Sequence, residues 1–246
     1  LELGHRAADA VARSTDLAGD LRSAFEAYDN GQGLALARLA PTSIVFGSWD
    51  SRETQVKIPR LINSTIRAYN VEKLTRSAQY FASLENDEVE QLLAVDVQKD
   101  RKKLSKAGFL DAPSGYTHGG ICVRGRIERS TILNLTAVRA LGALPDEQRA
   151  LRRYILGLSL LAAVAPVDLF LRQGCLLVQS IEEPPSGQLV YRDGRREQFS
   201  VTVEEAEFYA REAANKFGVG KDRHARFDKK LAQAVFKKAA KQKDGD

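Results

Sequence analysis

The sequence has no apolar run long enough to cross a membrane. Its longest hydrophobic stretch, YILGLSLLAAVAPVDLFL, is interrupted by Pro166 and Asp168, whereas a transmembrane helix needs about 18 or more consecutive apolar residues. The opening segment LELGHRAADAVARSTDL has neither a basic start nor a long apolar stretch, so no signal peptide is predicted. Because the chain starts at Leu1 rather than Met, we expect part of the natural N-terminal region to be missing.

Cysteine and histidine are also scarce. Cys122 and Cys175 lie in strand-like apolar segments, which is typical of reduced thiols in a cytoplasmic protein, with a single disulfide as the open alternative. The histidines are His5, His118 and His224. Their spacing is not that of a metal-ligand cluster, so no metal is predicted. The loop GYTHGG lacks the glycine spacing of a nucleotide-binding motif, and no cofactor is expected.

Positive charge is concentrated at the C-terminal end. Residues 216–246 contain 10 Lys or Arg against 4 Asp or Glu, whereas residues 1–215 contain 27 against 28. A nearly neutral body therefore carries a basic extension. Both a polyanion partner and a solvated lysine-rich helix fit this distribution.

Hydrophobic periodicity predicts alternating helices and strands, hence an α+β fold. Helices are predicted within 1–39, from Pro59 to Tyr69, and at 77–95, 146–164, 203–217 and 227–241. Strands are predicted at 42–49, 121–138 and 169–182, and a long loop at 98–120. Asp193-Gly194 predicts a type I′ hairpin turn within 188–201. Thr202 and Glu205 predict a capping box for a helix that ends at Gly218.

Two pairs of cations suggest contacts with a nucleic-acid backbone. Lys57 and Arg60 flank Pro59, where a helix start would offer unpaired N–H groups to a phosphate. Arg124 and Arg126 are two residues apart on a predicted strand, so both would project from one sheet face, as in some single-strand RNA-binding proteins. For each cation the alternative is an ordinary surface salt bridge.

Two long segments together carry a family resemblance. The segments TSIVFGSWDSRETQVKIPRLINSTIRAY and LSKAGFLDAPSGYTHGGICVRGRIERSTILNLTAVRAL resemble the RNA-binding backbone subunit of type I CRISPR Cascade complexes. The similarity spans about residues 39–179 and is strongest to the subtype called I-U or I-G. It rests on several motifs in order rather than on one short pattern.

The resemblance implies a non-catalytic RNA-binding subunit of the RAMP superfamily. Its fold would be an RRM-like (ferredoxin-like) palm with a helical insertion and a β-hairpin thumb, occupying residues 1–225, followed by a basic helix and tail at 226–246. The favoured thumb candidate is residues 184–201, and the missing N-terminal region and the 98–118 loop are the alternatives. By similarity to the family motifs, the RNA-binding residues would be Ser51, Arg52, Lys57, Arg60, Ser105, Lys106, Gly119, Gly120, Arg124 and Arg126.

The implied partners follow from the same resemblance. Copies of the chain would stack helically along a CRISPR guide RNA paired to a target DNA strand, beside other Cascade subunits and a recruited helicase-nuclease. Two alternatives remain open at this point. One is a guide-processing endoribonuclease that uses His118 as general acid or base, and the other is a basic module whose last helix binds an acidic protein.

Overall fold

The computed structural model describes residues 5–6, 11–51, 53–75, 78–80, 84–110, 112–113, 118–166, 169–172 and 174–241. These residues form a mixed α+β fold, as predicted. The helices are α1 Ala18–Asp29, α2 Leu34–Leu39, α3 Pro41–Val45, α4 Asn86–Leu93, α5 Val97–Ala107, α6 Leu135–Ala140, α7 Pro145–Val164, α8 Val203–Phe217 and α9 Lys229–Lys241, with a 3₁₀ turn at Ala12–Ser14.

Short strands make up the β structure. They are β1 His5–Arg6, β2 Ser48–Trp49, β3 Lys57–Ile58, β4 Ile62–Ala68, β5 Val71–Thr75, β6 Ala78–Tyr80, β7 Ala112–Pro113, β8 His118–Val123, β9 Ile127–Leu133, β10 Phe170–Arg172, β11 Cys175–Leu176, β12 Gly187–Val190 and β13 Arg196–Phe199. Within the described ranges the largest sheet has three strands, in the order β1-β2-β3, with β1 parallel to β2 and β2 antiparallel to β3. The four-stranded sheet of an RRM-like palm therefore stays a prediction.

The chain divides into two compact units, residues 1–64 with 131–246 and residues 65–130. The chain leaves the first unit along β4 and returns along β9, which pair with each other. Helix α9 belongs to the first unit, and the boundary at 225/226 stays a prediction.

The first unit has one hydrophobic core, to which α1, α2, α3 and α7 contribute. Leu36, Ile44, Leu151 and Ile155 are fully buried in it. Burying an aliphatic side chain of this size contributes about 1.5–3 kcal/mol. Residues from both segments of the first unit, 1–64 and 131–246, therefore contribute to this core.

Helices α7 and α8 approach closely because α7 has a glycine at their contact. A Cβ placed on Gly157 would lie 2.8 Å from the Cα of Ala210, so no larger residue fits without movement. Farther along the pair, the rings of Tyr154 and Phe217 stack with their centroids 4.8 Å apart. Burial raises the pKa of the Tyr154 phenol above its ordinary value.

The second unit is a strand ribbon joined to a helical pair. β5 pairs antiparallel with β8 and β6 with β7, and the chain between β6 and β7 includes α4 and α5. A small core holds the helices together; its buried members are Val89, Val97, Leu104 and Leu110. The connection between β8 and β9 contains a bulge, because Val71 pairs with Val123 while the N–H of Tyr69 donates to the carbonyl of Arg126.

Several predictions of local structure are wrong, in whole or in part. The predicted helix after Pro59 is strand β4, in which Ile62, Thr65 and Ile66 are β-branched. The first half of the predicted strand at 42–49 is helix α3, which begins with Pro41 in its first turn and buries Ile44 against the core. Only Ser48–Trp49 of that prediction is a strand. The predicted loop at 98–120 contains most of α5, strand β7 and the first half of β8. The predicted strand at 121–138 is β9 with the end of β8 and most of α6.

Other predictions are confirmed. Helix α7 and the terminal helix α9 lie where the periodicity placed them. The predicted 77–95 helix is correct only in its second half, which is α4, because its first half contains strand β6. Thr202 and Glu205 form the expected capping box, with bonds of 3.1 Å from the Glu205 N–H to Thr202 Oγ1 and 2.9 Å from the Thr202 N–H to Glu205 Oε2. Gly218 then ends α8 with a φ of +73°.

Candidate nucleic-acid interface

A hydrogen-bonded loop at 50–56 connects β2 to β3. The Asp50 carboxylate accepts bonds from the N–H of Glu53 (3.1 Å), the N–H of Thr54 (2.9 Å) and the hydroxyl of Thr54 (2.8 Å). Asp50 is only 4% exposed. The loop is closed at its base by the N–H of Asp50, which donates to the carbonyl of Val56. This carboxylate therefore fixes the loop that carries the predicted site residue Ser51, whereas Arg52 lies outside the described residues.

Lys57 stands at the end of this loop, across the strand pair from the single tryptophan. Trp49 and Lys57 are paired residues of β2 and β3, and the Lys57 Nζ lies 5.2 Å from the centre of the Trp49 ring. A cation over an aromatic face is stabilised by about 0.5–1 kcal/mol at an exposed site. Lys57 is exposed and forms no ion pair with a residue that the structure describes. Its charge is therefore held in place and open to a ligand.

The predicted helix start around Pro59 is absent, and with it the helix-terminus phosphate site. Arg60 is half-buried in the segment between β3 and β4. The backbone here passes against Gly47, where an added Cβ would lie 2.8 Å from the Arg60 nitrogen, and Gly47 has a φ of +74°. Only glycine combines that conformation with such a close approach. Lys57 and Arg60 thus flank a tight backbone crossing instead of a helix N-terminus.

Arg124 and Arg126 flank the bulge between β8 and β9 and do not lie within a strand. A Cβ on Gly125 would lie 2.8 Å from the Tyr69 carbonyl oxygen, so this glycine permits the bulge. The Arg124 Nε lies 3.2 Å from a carboxylate oxygen of Glu72. The surface salt bridge, which was the alternative for each cation, is therefore present at Arg124.

Arg126 is paired in the same way and is also stacked. Its Nη2 lies 3.3 Å from a carboxylate oxygen of Glu128, and its guanidinium carbon is 4.9 Å from the centre of the Tyr69 ring. All these side chains are exposed, and surface pairs of this kind contribute only about 0–1 kcal/mol. Both arginines are therefore accessible but partly neutralised by a glutamate.

The remaining predicted site residues lie in the second unit. Ser105 and Lys106 are on α5, where Lys106 is exposed, and Gly119 and Gly120 are backbone positions of β8. The structure thus places Ser51, Lys57 and Arg60 in the first unit and the other described members of the predicted set in the second.

Sequence reasoning missed two exposed cations on the ribbon. Arg67 in β4 and Lys73 in β5 are exposed, and neither forms an ion pair with a described residue. The misassignment of residues 59–69 as a helix concealed Arg67. Sequence reasoning also missed the structural role of Asp50. The pattern that could have indicated this role is an Asp followed four residues later by a Thr in a polar loop.

The hairpin at 187–199, the favoured thumb candidate, is formed as expected. Its turn is not type I′, because only Gly194 has a positive φ (+87°) and its N–H donates to the carbonyl of Tyr191. Arg195 stacks on the Tyr191 ring at 4.0 Å and pairs with Glu197 at 2.6 Å. The hydrogen bond that the Tyr191 hydroxyl donates to Glu197 is the main cause of the raised pKa of Tyr191. The nearby Arg192 is exposed.

The described residues contain neither a metal-binding cluster nor a helix that could span a membrane. Across the part of the chain that the structure describes, no three His, Cys, Asp or Glu side chains gather where they could hold a metal ion. No helix in those ranges is both long and apolar enough to span a bilayer. Cys122 and Cys175 are free thiols.

The geometry describes an α+β protein with exposed cations at the end of a hydrogen-bonded loop and on a strand ribbon. Residues 1–73 match the family model CRISPR-associated protein GSU0053 (Cas_GSU0053). The match covers less than a third of the chain and supports a CRISPR-associated protein. No curated protein and no solved structure matches the chain significantly.

Proposed function

We propose that this CRISPR-associated protein is a non-catalytic backbone subunit of a type I Cascade complex, of subtype I-U or I-G, that holds the guide RNA. The observation that carries the proposal is the family match over residues 1–73, which includes the whole of the 50–56 loop and Lys57. The resemblance of residues 39–179 to Cascade backbone subunits supports it. The partners would be the guide RNA, the paired target DNA strand, further copies of the chain, other Cascade subunits and a helicase-nuclease.

The physical task of such a subunit suits the residues that are present. In an RNA-guided complex, sequence is read by base pairing, so the protein holds the shape and backbone of the guide. Lysine and arginine side chains on ordered loops provide such contacts without reading bases. The Asp50-anchored loop supplies order, and Lys57 supplies a charge that no described acidic side chain neutralises.

The first experiment measures the salt dependence of guide binding. Replacing Lys57 and Arg60 with Ala should weaken binding of all guide sequences equally. The slope of log K against log salt should fall by about 1–2, since each phosphate contact on a single strand contributes about 0.7. Arg22→Ala with Arg211→Ala is the matched control, because it removes two exposed arginines that are paired with Glu26 and Glu207. A loss confined to particular guide sequences would contradict backbone recognition.

The second experiment concerns assembly. A body with nearly balanced charge offers few phosphate contacts per copy, and the electrostatic part of affinity grows with the number of phosphates neutralised. Many copies on one RNA are therefore expected, joined head to tail through a contact that does not close. The mass of the complex should increase in steps with guide length. A fixed stoichiometry for every guide length would contradict the filament.

A further inference from the structure

The basic C-terminal helix α9 is attached to the N-terminal part of the chain. Just before the helix, the N–H of Arg226 donates to Asp16 Oδ1 at 3.0 Å, and the N–H of Asp228 donates to the carbonyl of Ser14 at 2.8 Å. Asp228 also caps the helix, since its Oδ1 accepts from the N–H of Lys230 at 2.7 Å. Its charge is engaged at the helix start, where a carboxylate is favourable. The helix is therefore fixed to the body at its N-terminal end.

The two sides of α9 differ in burial. Ala232 and Val235 are half-buried, whereas Lys229, Gln233 and Lys237 are exposed. Each of these three exposed residues is four positions from the next, so they lie on one helix face. Lys230, which follows the first of them, is also exposed. We call Lys229, Lys230 and Lys237 the lysine row. At 1.5 Å per residue, the row extends about 12 Å along the helix.

No described acidic side chain neutralises the lysine row. None of its three lysines forms an ion pair within the described ranges, and Asp228 is the only acidic residue in 223–243. The α5 helix shows the contrast, because there Lys99 pairs with Asp96 at 3.3 Å and Lys103 with Asp100 at 2.8 Å. A row of uncompensated cations on a fixed helix matches a chain of phosphates.

An exposed aromatic ring distinguishes between classes of polyanion. Phe236 is 75% exposed and immediately precedes Lys237. Cations interleaved with exposed aromatic rings are typical of single-strand binding, since unpaired bases can stack on the rings. A membrane surface would instead require the whole apolar side of the helix, yet Ala232 and Val235 on that side are already half-buried.

From this juxtaposition we infer that α9 is a second nucleic-acid-binding surface, in which the lysine row contacts the phosphates of a single strand and Phe236 stacks on a base. The surface is separate from the proposed grip at Lys57 and Arg60, and it does not depend on the Cascade assignment. It would add contacts to a strand that is not enclosed in a duplex.

The test uses the full chain and a fluorescent oligo(dT) of about 20 nucleotides, longer than the roughly 4–16 nucleotides that one compact single-strand binding fold covers. Changing the lysine row to Gln (K229Q, K230Q and K237Q) should lower the salt slope of binding by about 2, at about 0.7 per contact. Phe236→Ala should weaken binding at least about fivefold, as expected when base stacking is lost. The matched control K99Q, K102Q and K103Q removes three charges from α5 and should leave the slope unchanged.

Three outcomes would overturn the inference. An unchanged slope in the lysine-row variant refutes the surface, and an equal loss on duplex DNA without any effect of Phe236→Ala refutes the single-strand assignment. Loss of binding to anionic phosphatidylserine vesicles with unchanged oligo(dT) binding would assign the helix to membranes. If the lysine-row variant loses slope while the Lys57 and Arg60 variant does not, the inference stands and the proposed guide grip fails.

Discussion

Removing the Asp50 carboxylate should reveal how much of RNA binding depends on the shape of the 50–56 loop. Asp50→Ala removes three hydrogen bonds of 2.8–3.1 Å from a side chain that is 4% exposed. Bonds to a charged acceptor contribute about 1.5–3 kcal/mol each when their partners are buried. Glu53 is exposed and Thr54 half-buried, so water can replace part of the loss. We therefore expect a destabilisation of about 2–4 kcal/mol in total.

Two variants that remove less of the hydrogen bonding should lower the free energy of unfolding by smaller amounts than Asp50→Ala. Asp50→Asn keeps one oxygen acceptor but loses the charge, and it should cost about half as much as Asp50→Ala. Thr54→Val removes only the hydroxyl and should cost about 0.5–1.5 kcal/mol. Urea unfolding can be followed by the fluorescence of Trp49, which is the only tryptophan and adjoins the loop. Equal midpoints for wild type and Asp50→Ala would show that the carboxylate does not hold the loop.

The sign of the effect on RNA binding separates loop order from net charge. Asp50→Ala makes the neighbourhood of Ser51 and Lys57 more positive by one unit, so charge alone predicts tighter binding. Loss of loop order predicts weaker binding, because the RNA must then order the loop at an entropic cost. We expect weaker binding, measured by anisotropy in buffer where both proteins are folded. Tighter binding by Asp50→Ala would refute the role of a preformed loop.

Two further predictions concern packing and catalysis. Gly157→Leu should destabilise the first unit by at least about 1–3 kcal/mol, since even a Cβ at this position lies 2.8 Å from the Cα of Ala210. The measurement is thermal unfolding, and the control is Gly19→Ala, because a Cβ on Gly19 meets no atom within 4 Å. The purified chain should leave single-stranded RNA and DNA intact with or without divalent ions. Cleavage that His118→Ala abolishes would instead favour the endoribonuclease alternative.

Elements with strong local signals could be predicted from the sequence. Helix α8 has a complete set of such signals, with a capping box at Thr202 and Glu205 and a left-handed glycine at 218. Helix α7 has a long apolar pattern after Pro145. The hairpin at 187–199 was evident from Asp193-Gly194, although its turn class was wrong. In these cases the local preference and the tertiary environment agree.

Elements whose local signals conflict were misread. Residues 62–69 have apolar groups at helical spacing, but Asn63, Ser64 and Thr65 are weak helix formers and the segment pairs with β9. Helix α5 was read as a loop because it is polar, despite usable signals at its two ends. Asp96 caps it by accepting from the N–H groups of residues 98 and 99, and Gly108 ends it with a φ of +86°.

The pairing of Arg124 depended on a contact that is distant in sequence. Glu72 and Arg124 are 52 positions apart and meet only because β5 pairs with β8. No periodicity within one segment could show that Arg124 has a carboxylate beside it. The sequence showed where the cations occur, but only the pairing of β5 with β8 places a carboxylate beside Arg124.

That distinction yields a final prediction about Glu72. If Arg124 contacts the guide, Glu72 competes with each phosphate for the same guanidinium, from which it is 3.2 Å away. Glu72→Gln removes that competitor and its repulsion of phosphate, while the side chain is 56% exposed and can change without a packing cost. Guide affinity should therefore rise, by about twofold to fivefold for an exposed pair worth up to about 1 kcal/mol. The gain should disappear in an Arg124→Gln background, because the partner that Glu72 occupied is then absent. An equal gain in both backgrounds would mean that Glu72 acts only through general charge and that Arg124 does not bind the guide.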